Sequence, residues 1–423
     1  MKYLIKGGRL VDPLQGLDQK LDLLVEDGKI SKLGANINEQ SAEVVNAKDL
    51  VVVPGLVDMH VHLREPGFEH KETIATGTEA AARGGFTAVA CMPNTNPVID
   101  NAALIRYLLE KAAVEAKVPV YPIGAVSKGS KGEELSEMGD MLSAGAVAFS
   151  DDGNPVMNSE LMRRAMEYAD NWGKVIISHC EDKNLFGEGS MHEGYWSTVL
   201  GIRGIPAAAE EIMVARDILL AEYTGAHIHL AHISTAGSVE LVRQAKKKGI
   251  KVTAEAAPHH FTLTDEAVKS FDTSTKVNPP LRSTEDMEAI RKGFGDNTID
   301  VIATDHAPHA RIEKQVEYEY APFGIVGLET AVPLTVTKLI AEKIISWPQF
   351  VEKLSVNPAR ILGLEPRTFK TGMPANITLI DPKKLKRVDV NEFVSLGKNS
   401  PFKGQELIGW TVGTMVRGEW VFR

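Results

Sequence analysis

Between residues 54 and 374 the sequence returns again and again to one pattern: a short apolar run, then a longer stretch of helical periodicity. The apolar runs are 56–60, 87–91, 118–125, 146–150, 174–178, 227–230, 251–256 and 299–303. Helical stretches fall between them at 73–83, 102–116, 160–171, 208–223, 238–248 and 284–292. The link from the third run to the fourth is the weakest, with only 132–144 left for a helix. Strands joined by helices pair in parallel, because each helix carries the chain back along the sheet. Eight such units predict a (β/α)8 TIM-like barrel, with its chemistry at the carboxyl ends of the strands. Residues 357–363 belong to a later helix that closes the helical layer.

The two ends of the chain read differently. Short strands are predicted at 3–6, 21–26 and 29–33, with Asp27-Gly28 as a type I′ hairpin turn. The far end repeats the pattern at 377–380, 411–416 and 419–422, with a turn at Arg417-Gly418. A hairpin alone is only marginally stable, so strands from both termini are expected to pool. The expected division is residues 1–53 plus 375–423 as a small composite β domain, and 54–374 as the barrel.

The first barrel strand runs into Asp58-Met59-His60-Val61-His62-Leu63-Arg64-Glu65-Pro66. Side chains two apart on a strand share a face, so His60 and His62 project together and Arg64 roughly continues the row. Two imidazoles on one face can hold a transition metal. An arginine beside them can grip a carboxylate through two parallel hydrogen bonds. Taken alone, the pair also reads as two buried structural histidines. The other strand ends argue against that. The second ends in Met92-Pro93-Asn94, the fourth in Ser150-Asp151-Asp152-Gly153, and the fifth in His179-Cys180-Glu181. The sixth ends in His232 and the seventh near His259-His260, with Asn278 later in its loop. The eighth ends in Ala303-Thr304-Asp305-His306-Ala307-Pro308-His309. Histidines and carboxylates at so many ends face one mouth.

Four histidines and two carboxylates exceed the needs of one tetrahedral metal. They suit two metals about 3.5–4 Å apart sharing a hydroxide. Two dications that close repel, which calls for a bridging anion. Asp151 and Asp152 both qualify and face opposite sides of an extended chain; strand geometry favours Asp152.

The chain resembles a type I dihydroorotase of the amidohydrolase superfamily over nearly its whole length. The likeness rests on two motifs, Asp58 to Pro66 and Ala303 to His309, with Lys314 five residues beyond the second. The resemblance implies two Zn2+ per chain: His60, His62 and Asp305 on the first, His179 and His232 on the second, and Asp152 bridging. It implies substrate contacts from His62, Arg64, Asn94, Asn278, His309 and the Phe323-Gly324 backbone, with Asp305 as the catalytic proton carrier. The implied reaction is the reversible cyclisation of N-carbamoyl-L-aspartate to L-dihydroorotate and water, a step of pyrimidine biosynthesis. The related hydantoinases and dihydropyrimidinases bridge their metals with a carbamylated lysine. The strand-four end here has none, and Lys128, on the loop after strand three, is expected to be solvated.

Two rival readings follow. One is a hydantoinase-like cyclic-amide hydrolase. The other is a non-catalytic structural partner of aspartate transcarbamoylase, which would lack ligands that this sequence retains. The expected partner is a small molecule, with homo-oligomer formation or association with aspartate transcarbamoylase left open. A formal charge of −9 argues against nucleic acid or an anionic membrane as the main partner. Two cysteines, Cys91 and Cys180, suggest no disulfide framework and a cytoplasmic setting. Cys180 is expected to pack in the core. His70, His192, His227 and His229 read as structural, and His259 and His260 carry no assigned role. Residues 307–324 make a long, charged loop that is either a lid or a surface excursion.

Overall fold

A computed structural model describes residues 1–423. Eight strands form the terminal sheet: β1 (Lys2–Asp12), β2 (Leu17–Glu26), β3 (Lys29–Gly34), β4 (Glu43–Asn46), β5 (Val51–Pro54) and three from the far end of the chain. β1 and β2 are longer than the sequence pattern predicts, and β4 is an addition to it. Asp27 and Gly28 both take positive φ, 49° and 78°, as a type I′ turn requires. Arg417 and Gly418 do the same, at 48° and 82°.

The chain leaves this sheet at Pro54-Gly55 and enters the barrel. A Cβ on Gly55 would come within 2.2 Å of the Thr87 hydroxyl, so only glycine permits this passage. The first five barrel strands are β6 (Leu56–Val61), β7 (Phe86–Cys91), β8 (Val120–Gly124), β9 (Ala148–Phe149) and β10 (Ile176–Ser178). A small ladder of β11 (Met191–His192) and β12 (Gly204–Ile205) interrupts. Then come β13 (Ile228–Leu230), β14 (Val252–Ala256) and β15 (Val301–Ile302). The eight barrel strands lie side by side in chain order, all parallel. Closure comes from the segment just past β15: Val61 bridges His306 in parallel, and His62 N–H donates to His306 O at 2.9 Å.

Several ladders are shorter than the apolar runs. β9 holds two residues where five were expected: Val147 and Ser150 each give one N–H to the β8 backbone, at 3.0 and 2.9 Å, but the Ala146 N–H turns back to Met141 O. The weak helix after β8 is likewise short. It spans Met138–Ala144, preceded by a 3-10 turn at Lys128–Ser130, and stops at Gly145 with φ 117°. The other helices form where predicted, and all but Ala208–Thr224 have their first turns capped from side chains. Thr73 and Thr76 cap the Ile74–Gly84 helix reciprocally, and Ser283 and Asp286 do so for Thr284–Gly295.

The main core lies between the outer face of the barrel and its helices, around Phe86, Val89, Phe149, Ile176, Leu230 and Phe294. A smaller cluster joins Met59, Ile123, Ile177 and Val301 to Leu362, which follows the helix Asn357–Ile361. Past residue 374, β16 (Ile377–Asp381) pairs antiparallel with β5. The chain then crosses to the barrel through β17 (Lys386–Arg387) and β18 (Glu406–Leu407), where Val388, Phe393 and Phe402 pack on Leu281, Ile325 and Leu334. It returns to the terminal sheet as β19 (Trp410–Val416) and β20 (Glu419–Phe422). This excursion brings Ser395 and Asn399 to the rim of the barrel mouth.

Candidate metal centre and substrate pocket

The strand ends converge as their motifs predict. His60, His62, Asp152, His179, His232 and Asp305 are all buried. Asp152 lies among the four histidines: Oδ1 is 3.4 Å from His60 Nε2, 3.5 Å from His179 Nδ1 and 3.4 Å from His232 Nε2. Its other oxygen is 3.5 Å from His62 Nε2. Asp305 Oδ1 lies 3.0 Å from His62 Nε2 and 3.5 Å from His60 Nε2. His179 Nδ1 and His232 Nε2 approach to 2.9 Å.

Asp151 goes elsewhere. It accepts the Val126 and Ser127 backbone N–H groups at 2.8 and 3.1 Å and the Ser127 hydroxyl, pinning the loop after β8. The two neighbours therefore divide structure and site between them.

The donor set fits a divalent metal. His60 Nε2 and Asp152 Oδ1 are buried and have no hydrogen-bond partner in the protein. Buried polar atoms without partners are costly, and a cation would satisfy both. Two groups of potential ligands have all their donor atoms within 4.8 Å of one another: His60, Asp152 and His232, and His60, His62 and Asp305. Burial pushes the Asp152 and Asp305 carboxyls up, but the surrounding histidines prevail and hold both well below the usual carboxylate range. Both are thus ionised. Three of the residues here, Arg64, His232 and Asp305, take positive φ of 62°, 30° and 48°. Non-glycine residues rarely adopt that conformation, and it concentrates at functional sites.

The pocket residues stand around this cluster. Asn94 Oδ1 accepts from His62 Nδ1 at 2.8 Å, leaving its amide nitrogen for another partner. Asn278 Nδ2 donates to Glu181 Oε2 at 2.6 Å, and the same carboxylate oxygen lies 3.4 Å from His179 Nε2. Arg64 donates from Nε to the Pro308 carbonyl at 3.2 Å, with its Nη2 3.5 Å from His309 Nε2. Burial lowers Arg64 only to about 10, so it stays cationic at neutral pH. His309 is pushed down to about 2 by burial and by Arg64, and its neutral ring donates to the Phe323 carbonyl at 2.7 Å. Gly324 closes the wall at φ 123°, its N–H on the Lys276 carbonyl and its carbonyl on Asn399 Nδ2.

Other expected residues lie off the site. Lys128 is exposed and pairs with Glu134 at 2.6 Å. Cys180 is buried, its thiol pushed up by burial and Asp217. His306, inside the second motif, turns away: its Nδ1 accepts the Gly327 N–H and its Nε2 faces Glu72 at 3.4 Å. His260 donates to the Pro279 carbonyl at 3.1 Å, while His259 is buried with Nε2 unpartnered. The 307–324 loop is anchored by buried Lys314 and Tyr318 and by Lys71 on Glu313 at 2.9 Å, while Ile312, Val316 and Tyr320 beside them are exposed. Sequence patterning missed Glu255 and Asn399, and it placed Glu181 at the fifth strand end without a role. Glu255 was detectable only as a carboxylate at an inward position of a barrel strand.

Comparison with known proteins agrees with this geometry. A family described as Dihydro-orotase-like matches residues 49–238. A dihydroorotase from Pelotomaculum thermopropionicum is 61% identical over 100% of this chain and 99% of its own. One from Acetivibrio thermocellus is 55% identical over 99% of each. Among solved structures, an L-hydantoinase (dihydropyrimidinase) from Arthrobacter aurescens superposes with a TM-score of 0.90 at 26% identity, covering 100% of this chain and 96% of that one. A dihydropyrimidinase from Brevibacillus agri NCHU1002, at 22% identity and a TM-score of 0.88, shares the fold. Likeness at this level, end to end, leaves one assignment: the chain belongs to the dihydroorotase family of amidohydrolases, hydrolases that act on cyclic amides.

Proposed function

We propose that this chain interconverts L-dihydroorotate and N-carbamoyl-L-aspartate at the cluster of four histidines and two aspartates, with two zinc ions bound. The observation that carries the reading is the position of Asp152, within 3.5 Å of a nitrogen of each of the four histidines. In this reading His60, His62 and Asp305 would hold one ion, His179 and His232 the other, and Asp152 would reach both. Bound there, the ions supply Lewis-acid polarisation and lower the pKa of water.

The chain's own groups do the rest. Arg64, with Asn94 and His309, receives the free carboxylate and orients the ring, so that little motion remains before attack. Asp305 takes the proton of the attacking water at its carboxylate and delivers it to the departing ring nitrogen. The net proton released in hydrolysis comes from the new carboxyl group. In the synthetic direction the same carboxylate carries the proton back.

The hydantoinase-like reading lacks its lysine, since Lys128 is spent on Glu134 outside the site. We extend the reading to the whole molecule in two respects. Residues 1–53 with 375–423 act as one unit beside the 54–374 barrel, except for 386–407, which pack on the barrel. The chain works in the cytoplasm, in keeping with two buried free cysteines. No helix is long and apolar enough to cross a membrane. Self-association and association with aspartate transcarbamoylase are told apart by light scattering of the isolated chain with and without that partner.

Elemental analysis of protein purified without chelator tests the centre, together with carbamoyl-aspartate cyclisation and dihydroorotate hydrolysis. Two metals per chain and activity in both directions are expected. Asp152→Ala loses metal and activity together, and Asp305→Asn suppresses both directions. Full activity with one metal, or an active Asp152→Ala, refutes the two-metal assignment.

A further inference from the structure

The interior of a barrel of this kind is normally filled by apolar layers. Here a string of polar side chains runs through it. His60 Nδ1–H donates to Glu255 Oε1 at 2.6 Å. The other Glu255 oxygen lies 3.1 Å from His229 Nε2. His229 Nδ1 is 2.8 Å from the Thr253 hydroxyl, and that hydroxyl is 2.8 Å from His227 Nε2. His229 and Thr253 are direct partners across β13 and β14. His227 and His229, and Thr253 and Glu255, lie two apart and so share faces. His60, Glu255 and His229 are fully buried, whereas His227 reaches the surface in part.

With the imidazoles neutral, as metal ligation at His60 requires, the string has one consistent direction of donation. A carboxylate only accepts, so both histidines must present N–H to Glu255. His229, protonated at Nε2, must then accept at Nδ1, which the Thr253 hydroxyl supplies. The Thr253 oxygen in turn accepts from His227 Nε2–H. At the other end, His60 with its proton on Nδ1 keeps a lone pair on Nε2. That nitrogen is the one without a partner, 3.4 Å from Asp152 Oδ1 and 3.5 Å from Asp305 Oδ1.

The geometry points to Glu255 as a positioning residue that holds His60 in the metal-accepting tautomer, itself oriented by the His229–Thr253–His227 string. The inference rests on the metal reading of the preceding subsection. An imidazole can ligate through Nε2 only when its proton is on Nδ1, and an anionic acceptor there also makes the ligand more basic. Asn94 serves His62 similarly through a neutral oxygen. Glu255 differs by carrying charge and by serving two histidines at once. Glutamine in its place cannot accept from both rings, because one of its ends is a donor.

The test is zinc affinity of the metal-free full-length chain, measured by competition with a chelating indicator, for wild type and Glu255→Gln. Affinity is expected to fall about 10–100-fold in the variant, alongside a loss of melting temperature in the metal-free protein from the one ring left without an acceptor. A second readout needs no variant. Wild type loaded with 113Cd and labelled with 15N-histidine should show metal–nitrogen coupling to His60 Nε2 and none to Nδ1. A folded Glu255→Gln chain that binds zinc within twofold of wild type overturns the proposal, as does one that only loses melting temperature. Coupling through His60 Nδ1 overturns it too, and decides the matter where Glu255→Gln does not fold. Failure of wild type to bind metal at all refutes the metal centre and the inference with it. Wild-type binding with an unaffected variant refutes the inference alone.

Discussion

The Asp58 carboxylate, on the first barrel strand, takes hydrogen bonds from both the amide and the hydroxyl of Thr304, at 3.2 and 2.6 Å, just past the eighth strand. It also accepts the His60 N–H at 3.2 Å. One side chain thus joins the seam of the barrel to the backbone of His60, a proposed metal ligand. Asp58→Ala leaves three buried donors without an acceptor, at about 1–3 kcal/mol for each orphaned group. Its melting temperature and zinc affinity should both fall. Asp58→Asn keeps an oxygen and should recover most of both. Equal losses in the two variants, by calorimetry and metal titration, would show that charge and not the seam matters.

Arg64 sits where a planar fork can meet a carboxylate. Arg64→Lys keeps the charge but loses the second parallel bond. A charge-assisted pair is worth roughly 1.5–3 kcal/mol, so kcat/KM for dihydroorotate should drop by about 10–100-fold. Turnover of an uncharged cyclic amide should change little. Steady-state kinetics on both substrates decide the point, and parallel losses would assign Arg64 to structure.

Gly324 has φ 123°, and a Cβ there would meet the Ala307 Cβ at 2.7 Å and the Ala307 carbonyl oxygen at 3.0 Å. Both atoms belong to the segment that carries His309. Gly324→Ala should therefore shift the Phe323-Gly324 wall, at a cost of roughly 1–3 kcal/mol in backbone strain. The expected signature is a raised KM for dihydroorotate with zinc content unchanged. A wild-type KM in this variant would exclude the wall from substrate contact.

Glu329 accepts the Val394 and Ser395 amides at 3.1 and 3.3 Å. Burial pushes its carboxyl up to about 7, although those amides, Arg83 and Lys398 pull the other way. An unfolded glutamate titrates near about 4.3. The folded state therefore binds the proton more tightly. Its contribution to stability is complete below the unfolded value and is lost as pH rises through about 7. Glu329→Gln keeps a neutral side chain at every pH. The stability of wild type relative to Glu329→Gln should therefore fall on the order of 2 kcal/mol between pH 4.5 and 7.5. Urea unfolding of both proteins across that window measures it, and a constant difference would refute the shift.

The alternation of apolar runs and helical stretches determined a parallel sheet, because each helix carries the chain back along it, and the count of eight units pointed to the closed barrel over an open sheet. Strand parity likewise put His60 and His62 on one face, and the turn residues at Asp27-Gly28 and Arg417-Gly418 set both hairpins of the terminal sheet. These features depend on residues one to four apart, so a sequence displays them directly. The ladder ends were less legible. Val147 is as well buried as a strand residue, yet it lies outside the β9 ladder. Burial and strand pairing leave the same mark on a sequence.

What the tertiary structure decided depends on which strand lies beside which. Strand geometry only leans toward Asp152 over Asp151, and the Val126 and Ser127 amides with the Ser127 hydroxyl, on a neighbouring loop, draw Asp151 away. His306 and His309 share a motif, but Glu72 and the Gly327 amide claim the first, while Phe323 and Arg64 border the second. Asn399 reaches the mouth from far along the chain, through an excursion that no local pattern marks. His229 reads as a core residue because its own neighbours are apolar. Its partner Glu255 stands 26 positions away and meets it through the register of β13 on β14. Short-range periodicity is written in the sequence itself; a hydrogen bond across the barrel exists only once eight strands have closed and set their register.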